Sequence, residues 1–409
     1  MNRLPLRYRL LLVILSIGFV ASSLPCQTPL DAHDSETMGK MLDRQPAGDP
    51  LHCLIFPLPP RLDFGFRFLL GYMITCPLMS FGGRGDEVLI FTRITPEGGK
   101  AVLFGENTRL PAVDAAAKPG TLKQNVKISG GFAAGEGKYR IEVLVGDRQT
   151  GRTSIKSWNT RVARRGDQRA AEVALAPGSV VSVNVRPWPI RLDSSGKGLR
   201  VSIFLEAAPL NPRSQVLRAW DRAFLLEALS SMLKQIPCAS VRLRAFNLAQ
   251  QRELFHQDHF DDTGFIQLGD SLRSLELGTV DYRVLQNHQG EVNMLVDYAN
   301  RELTAPDPSD IAIFVGPRAY IAGVPRRLLK PRETPDPHFY YFQYIPPYFR
   351  PAQIPDAIST LTRQLDGAVF EISSPGDLAR AIQKMLARVQ AKGSPSGSNH
   401  APGRTGPGN

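Results

Sequence analysis

Near residue 199 the hydrophobic pattern of this chain changes its period, and two different kinds of core follow from that change. Upstream, between Leu62 and Ala163, apolar residues alternate with polar ones in runs closed by glycine turns, as in "DEVLIFTRITPEGG" and "GKYRIEVLVGDRQTG". Short alternating runs at this spacing indicate antiparallel strands stacked as a β-sandwich. Downstream, over residues 199–390, apolar runs such as "VSIFL" and "DIAIFVGP" are separated by segments of helical period. In "SQVLRAWDRAFLLEALSSMLKQI", Val216, Leu217, Trp220, Phe224, Leu225, Leu229 and Leu233 fall on one stripe. Buried strands alternating with helices indicate a mainly parallel sheet of Rossmann type, covered by helices. A length of 409 residues with 43% hydrophobic content fits this multidomain plan, because single cores rarely grow beyond roughly 250 residues.

The flanking segments read differently. "MNRLPLRYR" followed by the apolar run "LLLVILSIGFVASSLP" has the form of an export signal, assigned to residues 1–26. The run falls short of the roughly 20 apolar residues that a membrane span needs, so no integral membrane segment is expected once the signal is removed. Cys26 ends "SSLPC", but the preceding proline departs from a lipid-attachment pattern and argues against a lipid anchor. Residues 27–61 are proline-rich and read as a linker, residues 164–198 as a crossover between domains, and residues 391–409 as a disordered Gly/Ser/Pro tail. The expected location is therefore the periplasm or the exterior.

A net charge of +11 permits an acidic partner, yet the basic residues are spread along the chain with no nucleic-acid motif, so no nucleic-acid binding is expected. Without Cys26, three cysteines remain. An odd count argues against a disulfide framework, while a single bridge between Cys53 and Cys76 is permitted in an oxidising compartment. Cys238 reads as a buried, inert thiol.

Two resemblances attach to these segments. "GKYRIEVLVGDRQTG", with Tyr139 near its start, resembles the penultimate strand of immunoglobulin-like and fibronectin-like modules. Over residues 199–390 the order of elements resembles a von Willebrand factor A domain. "LELGTVDYRVL", "DIAIFVGP" and "QLDGAVFEISSPGDLARAIQKML" are similar to that family's metal-loop, fourth strand and closing elements. The whole chain is similar to bacterial secreted proteins related to that family. The resemblance implies a site for a hard cation, built from Asp-x-Ser-x-Ser after the first strand, a threonine in a middle loop and an aspartate after the fourth strand. Here those positions fall on Glu206, Ala208, Leu210, Thr279 and Gly316. A magnesium-type ion wants about six oxygen ligands, and one glutamate with one threonine cannot supply them. The expectation is a degenerate site with no metal and no cofactor.

Other segments carry candidate chemistry of their own. "HQDHFDD" brings His256 and His259 together with three aspartates, a set compatible with zinc or iron, but its position after a strand reads as a polar loop in which Asp262 or Thr263 caps the next helix. "GGRGDEV" spells an adhesion tripeptide, which a glycine turn explains without a receptor. Trp158 and Tyr139 read as core aromatics. No phosphate loop, nucleophile elbow or zinc-protease motif occurs. "FYYFQYIPPYF" is richer in aromatics than one strand needs, so Tyr344, Tyr348 and Phe349 are expected at the sheet rim, beside basic "PRRLLKPR" with Arg326 and Arg327, as a protein-contact surface. The expected function is a secreted, non-enzymatic protein-interaction module with an unidentified protein partner. The alternatives are a metal-dependent enzyme using His256 and His259, or an envelope-structural spacer.

Overall fold

Alternation in the upstream half produces two antiparallel sheets. The computed structural model describes residues 28–29, 51–81, 85–110, 124–183, 190, 192–193, 198–211, 214–278, 282–321, 323–332, 337–345 and 356–393. The expected signal segment and the tail beyond residue 393 lie outside them. One sheet has the order β1-β5-β4-β7-β8, formed by β1 (Thr28–Pro29), β4 (Glu87–Pro96), β5 (Val102–Arg109), β7 (Gly137–Asp147) and β8 (Thr153–Val162). The other has the order β2-β3-β6-β9, formed by β2 (Leu54–Leu62), β3 (Phe68–Pro77), β6 (Asn125–Ala134) and β9 (Val180–Ser182). The two sheets meet through their side chains: the hydroxyls of Tyr72 and Thr92 lie 2.6 Å apart, and Phe104 stacks on Phe132 with ring centroids 6.3 Å apart. Tyr139 is buried and its hydroxyl donates to the carbonyl of Gly135 at 2.8 Å.

Part of the stretch read as linker is a strand. Leu54–Leu62 pairs at a sheet edge, where Pro57, Pro59 and Pro60 are tolerated because an edge strand need not donate on both sides. Cys53 and Cys76 form a disulfide that ties the start of β2 to β3. The boundaries differ in detail from the sequence reading. The chain divides into two units, and the short segments Leu62–Arg67 and Arg164–Ala174 belong with the α/β unit, while Leu175–Asn184 belongs with the antiparallel one.

The α/β unit holds β10 (Leu199–Glu206), α1 (Ala219–Gln235), β11 (Cys238–Asn247), β12 (Arg252–Gln257), α2 (Asp262–Arg273), α3 (Tyr282–Gln286), α4 (Gly290–Leu303), β13 (Ile311–Pro317), β14 (His338–Tyr344), α5 (Ala357–Gln364), β15 (Ala368–Ile372) and α6 (Pro375–Gly393). Its sheet has the order β12-β11-β10-β13-β14-β15, and every neighbouring pair is parallel except β11 with β12. Ile203 sits opposite Leu243 on one side and Ile313 on the other, so β10 and β13 are the central strands, buried over Val201–Glu206 and Ile311–Pro317. That burial explains their largely apolar sequences.

Side-chain parity sorts the two faces. Phe204, Phe314, Phe339 and Tyr341 pack under α4 and α5, against Leu295, Ala299, Ile358 and Leu361. On the other face Tyr344 meets Phe224 of α1 edge-on at 4.7 Å, and Arg388 of α6 lies over the ring of Phe370 at 5.7 Å. The stripe drawn for α1 begins too early. The helix starts at Ala219, Val216 is exposed and bridges to Glu276, and Trp220 is 43% exposed.

Because the connection from β10 leads to β11 on one side and β13 lies on the other, the strand order reverses between β10 and β13. In open α/β sheets a ligand crevice forms at such a point, outside the carboxyl ends of the strands.

Candidate functional site

The residue that ends β10 at this reversal is Glu206. It is 3% exposed, and both carboxylate oxygens lie 3.3 Å from the Leu248 N–H, which donates to them from the turn after β11. Burial pushes its carboxyl well above the ordinary range; the Leu248 N–H opposes this, and the charges of Glu291 and Asp356 reinforce it. Burial thus favours the protonated over the charged form of this carboxyl.

Backbone ties hold the strand ends in place. The Ala207 N–H donates to the Phe246 carbonyl at 2.7 Å, Asn247 Nδ2 donates to the Ala207 carbonyl at 2.8 Å, and the Gln250 N–H donates to Asn247 Oδ1 at 2.9 Å. Across the switch point, Gly316 of β13 has φ +150°, and its backbone lies against the Cβ and carbonyl of Glu206. Asp356 caps α5 and spends its oxygens on the N–H groups of Ala319 and Ile358, the amide of Gln343 and the hydroxyl of Ser359.

Beyond these ends opens a crevice of about 660 Å³. Glu206, Ala208, Pro209, Leu248, Glu291 and Arg318 are among the residues that line it. Arg318 lies two residues past Gly316. Its side chain is 18% exposed, its Nε is buried with no hydrogen-bond partner, and its closest recorded carboxylate is that of the exposed Glu371, 3.8 Å from Nη2.

The sequence-derived site residues separate into groups. Glu206 and Ala208 line the crevice, and Gly316 packs on Glu206. Leu210 does not join them: it is buried, and its N–H donates to Asp221 at the start of α1. Thr279 lies outside the described residues, as do Tyr348 and Phe349. Arg326 and Arg327 are exposed on a short 3-10 turn and do not line the crevice.

Tyr344 requires a correction. It was expected at the rim, but it is the last residue of β14 and is 1% exposed, wedged between Phe224 and Phe64 on the α1 face. The strand runs far enough for its pleat to turn that ring inward. The helix cap also moves by one residue. Asp261, not Asp262 or Thr263, accepts the N–H groups of Thr263 and Gly264, while Asp262 accepts the Ile190 N–H.

His256 lies in β12 with its Nε2 2.9 Å from Asp258. Among the described residues no three His, Cys, Asp or Glu side chains gather as a metal-binding group. Arg318, Glu291 and the Leu248 N–H were missed by sequence reading. The usable signal was positional, since residues that follow the two central strands border the switch point.

No family model matches the chain, and no curated protein matches it. Among solved structures, a β-glucuronidase of Bacteroides uniformis is 10% identical, over 71% of this chain and 36% of its own, with a TM-score of 0.19. A glycosyl hydrolase family 2 member of Bacteroides cellulosilyticus is 12% identical, over 78% of this chain and 37% of its own, with a TM-score of 0.19. This chain spans little more than a third of the length of those enzymes, and likenesses of that size carry no argument about its fold or activity.

Proposed function

We propose that the chain is an exported, non-enzymatic interaction protein whose α/β unit is von Willebrand factor A-like, lacks an ion site, and receives a protein partner at the crevice beyond β10 and β13. The reading is supported by the strand order, with a single antiparallel edge strand, and by a crevice at the switch point. The observation that carries it is the contact of Gly316 with Glu206. At the position where the resembling family places its last metal-binding aspartate, a side chain would run into the Cβ and backbone carbonyl of Glu206, the residue that ends the first strand.

The hydrogen bond from Tyr139 to Gly135 supports reading the antiparallel unit as immunoglobulin-like or fibronectin-like. Export is supported by the Cys53–Cys76 bridge, since disulfides persist in oxidising compartments. Among the described residues no helix is long and apolar enough to cross a membrane.

Two measurements test the reading. Calorimetric titration of the purified chain with Mg²⁺ and Mn²⁺ is expected to show no saturable heat; stoichiometric binding lost in Glu206→Gln would overturn the ion-free assignment. Cross-linking in the native cell envelope should capture a partner that Ala208→Trp, which fills the crevice, no longer captures. Equal capture by both chains would place the contact elsewhere.

A further inference from the structure

The crevice holds one feature that an inert scaffold does not need. Arg318 borders it with a side chain 18% exposed, and its ion pair with the exposed Glu371 is long, 3.8 Å from Nη2. A mostly desolvated cation with so loose a partner is poorly compensated, and a carboxylate entering the crevice would supply a closer one. Glu206 also borders the crevice, and its burial disfavours the charged form that would compete with an incoming anion.

The remaining walls define the acceptor. Ala208, Pro209, Leu248 and Ile321 give an apolar lining, which suits an alkyl or aromatic stem. Glu276 and Glu291 also border the space, and their charges disfavour a doubly charged anion such as a phosphate monoester. A volume of about 660 Å³ takes a group the size of two or three residues or a small organic acid.

We propose that this crevice is a metal-free receptor for a single carboxylate on an apolar stem, with the Arg318 guanidinium as its counter-charge. The inference rests on the placement of the binding site proposed above. Two sources share this chemistry: the free carboxyl terminus of a polypeptide ending in apolar residues, and a small organic acid. Arginine suits the task because its planar fork matches a carboxylate and remains charged at every physiological pH.

The test uses the full mature chain and fluorescence anisotropy with a labelled peptide, Gly-Ser-Gly-Ser-Gly-Leu-Leu, as free acid and as carboxyl-terminal amide. A parallel calorimetric titration uses 4-phenylbutyrate beside 4-phenylbutanamide. At least one free acid should bind, and its amide should bind about tenfold or more weakly, as expected for loss of a charge-assisted pair. Arg318→Gln should show the same loss without a change in thermal stability, and Arg318→Lys should recover part of it.

Acid and amide binding alike, Arg318→Gln binding as the wild type does, or no binding of either acid overturns the proposal. Binding of phenylbutyrate without the peptide acid would support the carboxylate receptor while removing the protein-partner reading. Partner capture that survives Arg318→Gln but fails in Ala208→Trp would do the reverse.

Discussion

A Cβ placed on Gly316 would lie 2.7 Å from the Cβ of Glu206 and 2.8 Å from its carbonyl oxygen. Real Cβ atoms do not approach so closely, and the φ of +150° is one that side-chain-bearing residues rarely adopt. Gly316→Ala should therefore cost about 2–4 kcal/mol, combining backbone strain with overpacking at the centre of the sheet, as read from the denaturant midpoint of the α/β unit. Gly316→Asp should cost at least as much and create no ion site. Combining it with Glu206→Asp, Ala208→Ser and Leu210→Ser should still give no tight Mg²⁺ binding, because Leu210 is buried with its N–H on Asp221 rather than in the crevice. Tight binding in that variant would overturn the proposed ion-free assignment.

Glu106 of β5 is 7% exposed, and neither carboxylate oxygen has a hydrogen-bond partner. Burial pushes its carboxyl up to about 7. The native state thus holds this proton more tightly than the unfolded chain, whose glutamates titrate near ~4.3. The contribution is complete below that value, falls as pH climbs, and is gone above about 7. The loss should not exceed about 4 kcal/mol. Glu106→Gln should flatten the pH dependence of the antiparallel unit's thermal transition between pH 4 and 8; an unchanged slope would mean that this carboxyl is solvated.

Much of the architecture could be read directly. Ile203 to Leu205 and Ile311 to Val315 are apolar without interruption because each strand is flanked by others and covered on both faces, and such runs flag a parallel sheet. Other features depend on partners distant in sequence. Prolines 57, 59 and 60 ordinarily argue against a strand, and only the edge position of β2 admits them. The inward turn of Tyr344 follows from where β14 ends, which aromatic content does not reveal. Arg318 is unremarkable in "VGPRAYIAG"; its place at the crevice wall, with only a long ion pair to Glu371, follows from the pairing of β13, β14 and β15.

The Cys53–Cys76 bridge spans a sequence separation of 23. Closing a loop of that length should contribute about 3 kcal/mol through the unfolded state, so Cys53→Ser with Cys76→Ser should lower the melting temperature of the antiparallel unit by several degrees. Alkylation of the native oxidised chain should label neither these two cysteines nor Cys238, which is buried and whose thiol is pushed up to about 12 by desolvation. Labelling of Cys53 and Cys76 without reductant would refute the bridge.

Within the α/β unit, Arg67 is almost wholly buried and holds two carboxylates, Asp63 at 2.9 Å and Glu227 of α1 at 2.7 Å. One cation facing two acids leaves the group a positive charge short. Burial, together with the charge of Asp63, raises Glu227 above the ordinary carboxyl range, against the pull of Arg67. The triad fastens the segment Leu62–Arg67 onto α1, beside the hydrogen bond from the Ser231 hydroxyl to the Phe64 carbonyl at 2.7 Å. Removing the cation strands both acids in a dry setting, so Arg67→Ala should cost about 3–5 kcal/mol. Glu227→Gln should be far milder, because the amide keeps an acceptor for Arg67 and removes the charge that burial disfavours. Its effect should depend on pH: near neutral below the unfolded carboxyl value of ~4.3, then increasingly stabilising up to the folded titration of Glu227, raised to about 8, because over that interval the wild type must take up a proton to fold. Hydrogen exchange at α1 across that range separates the two, and equal losses for Arg67→Ala and Glu227→Gln at pH 6 would show that packing, not charge, holds the segment.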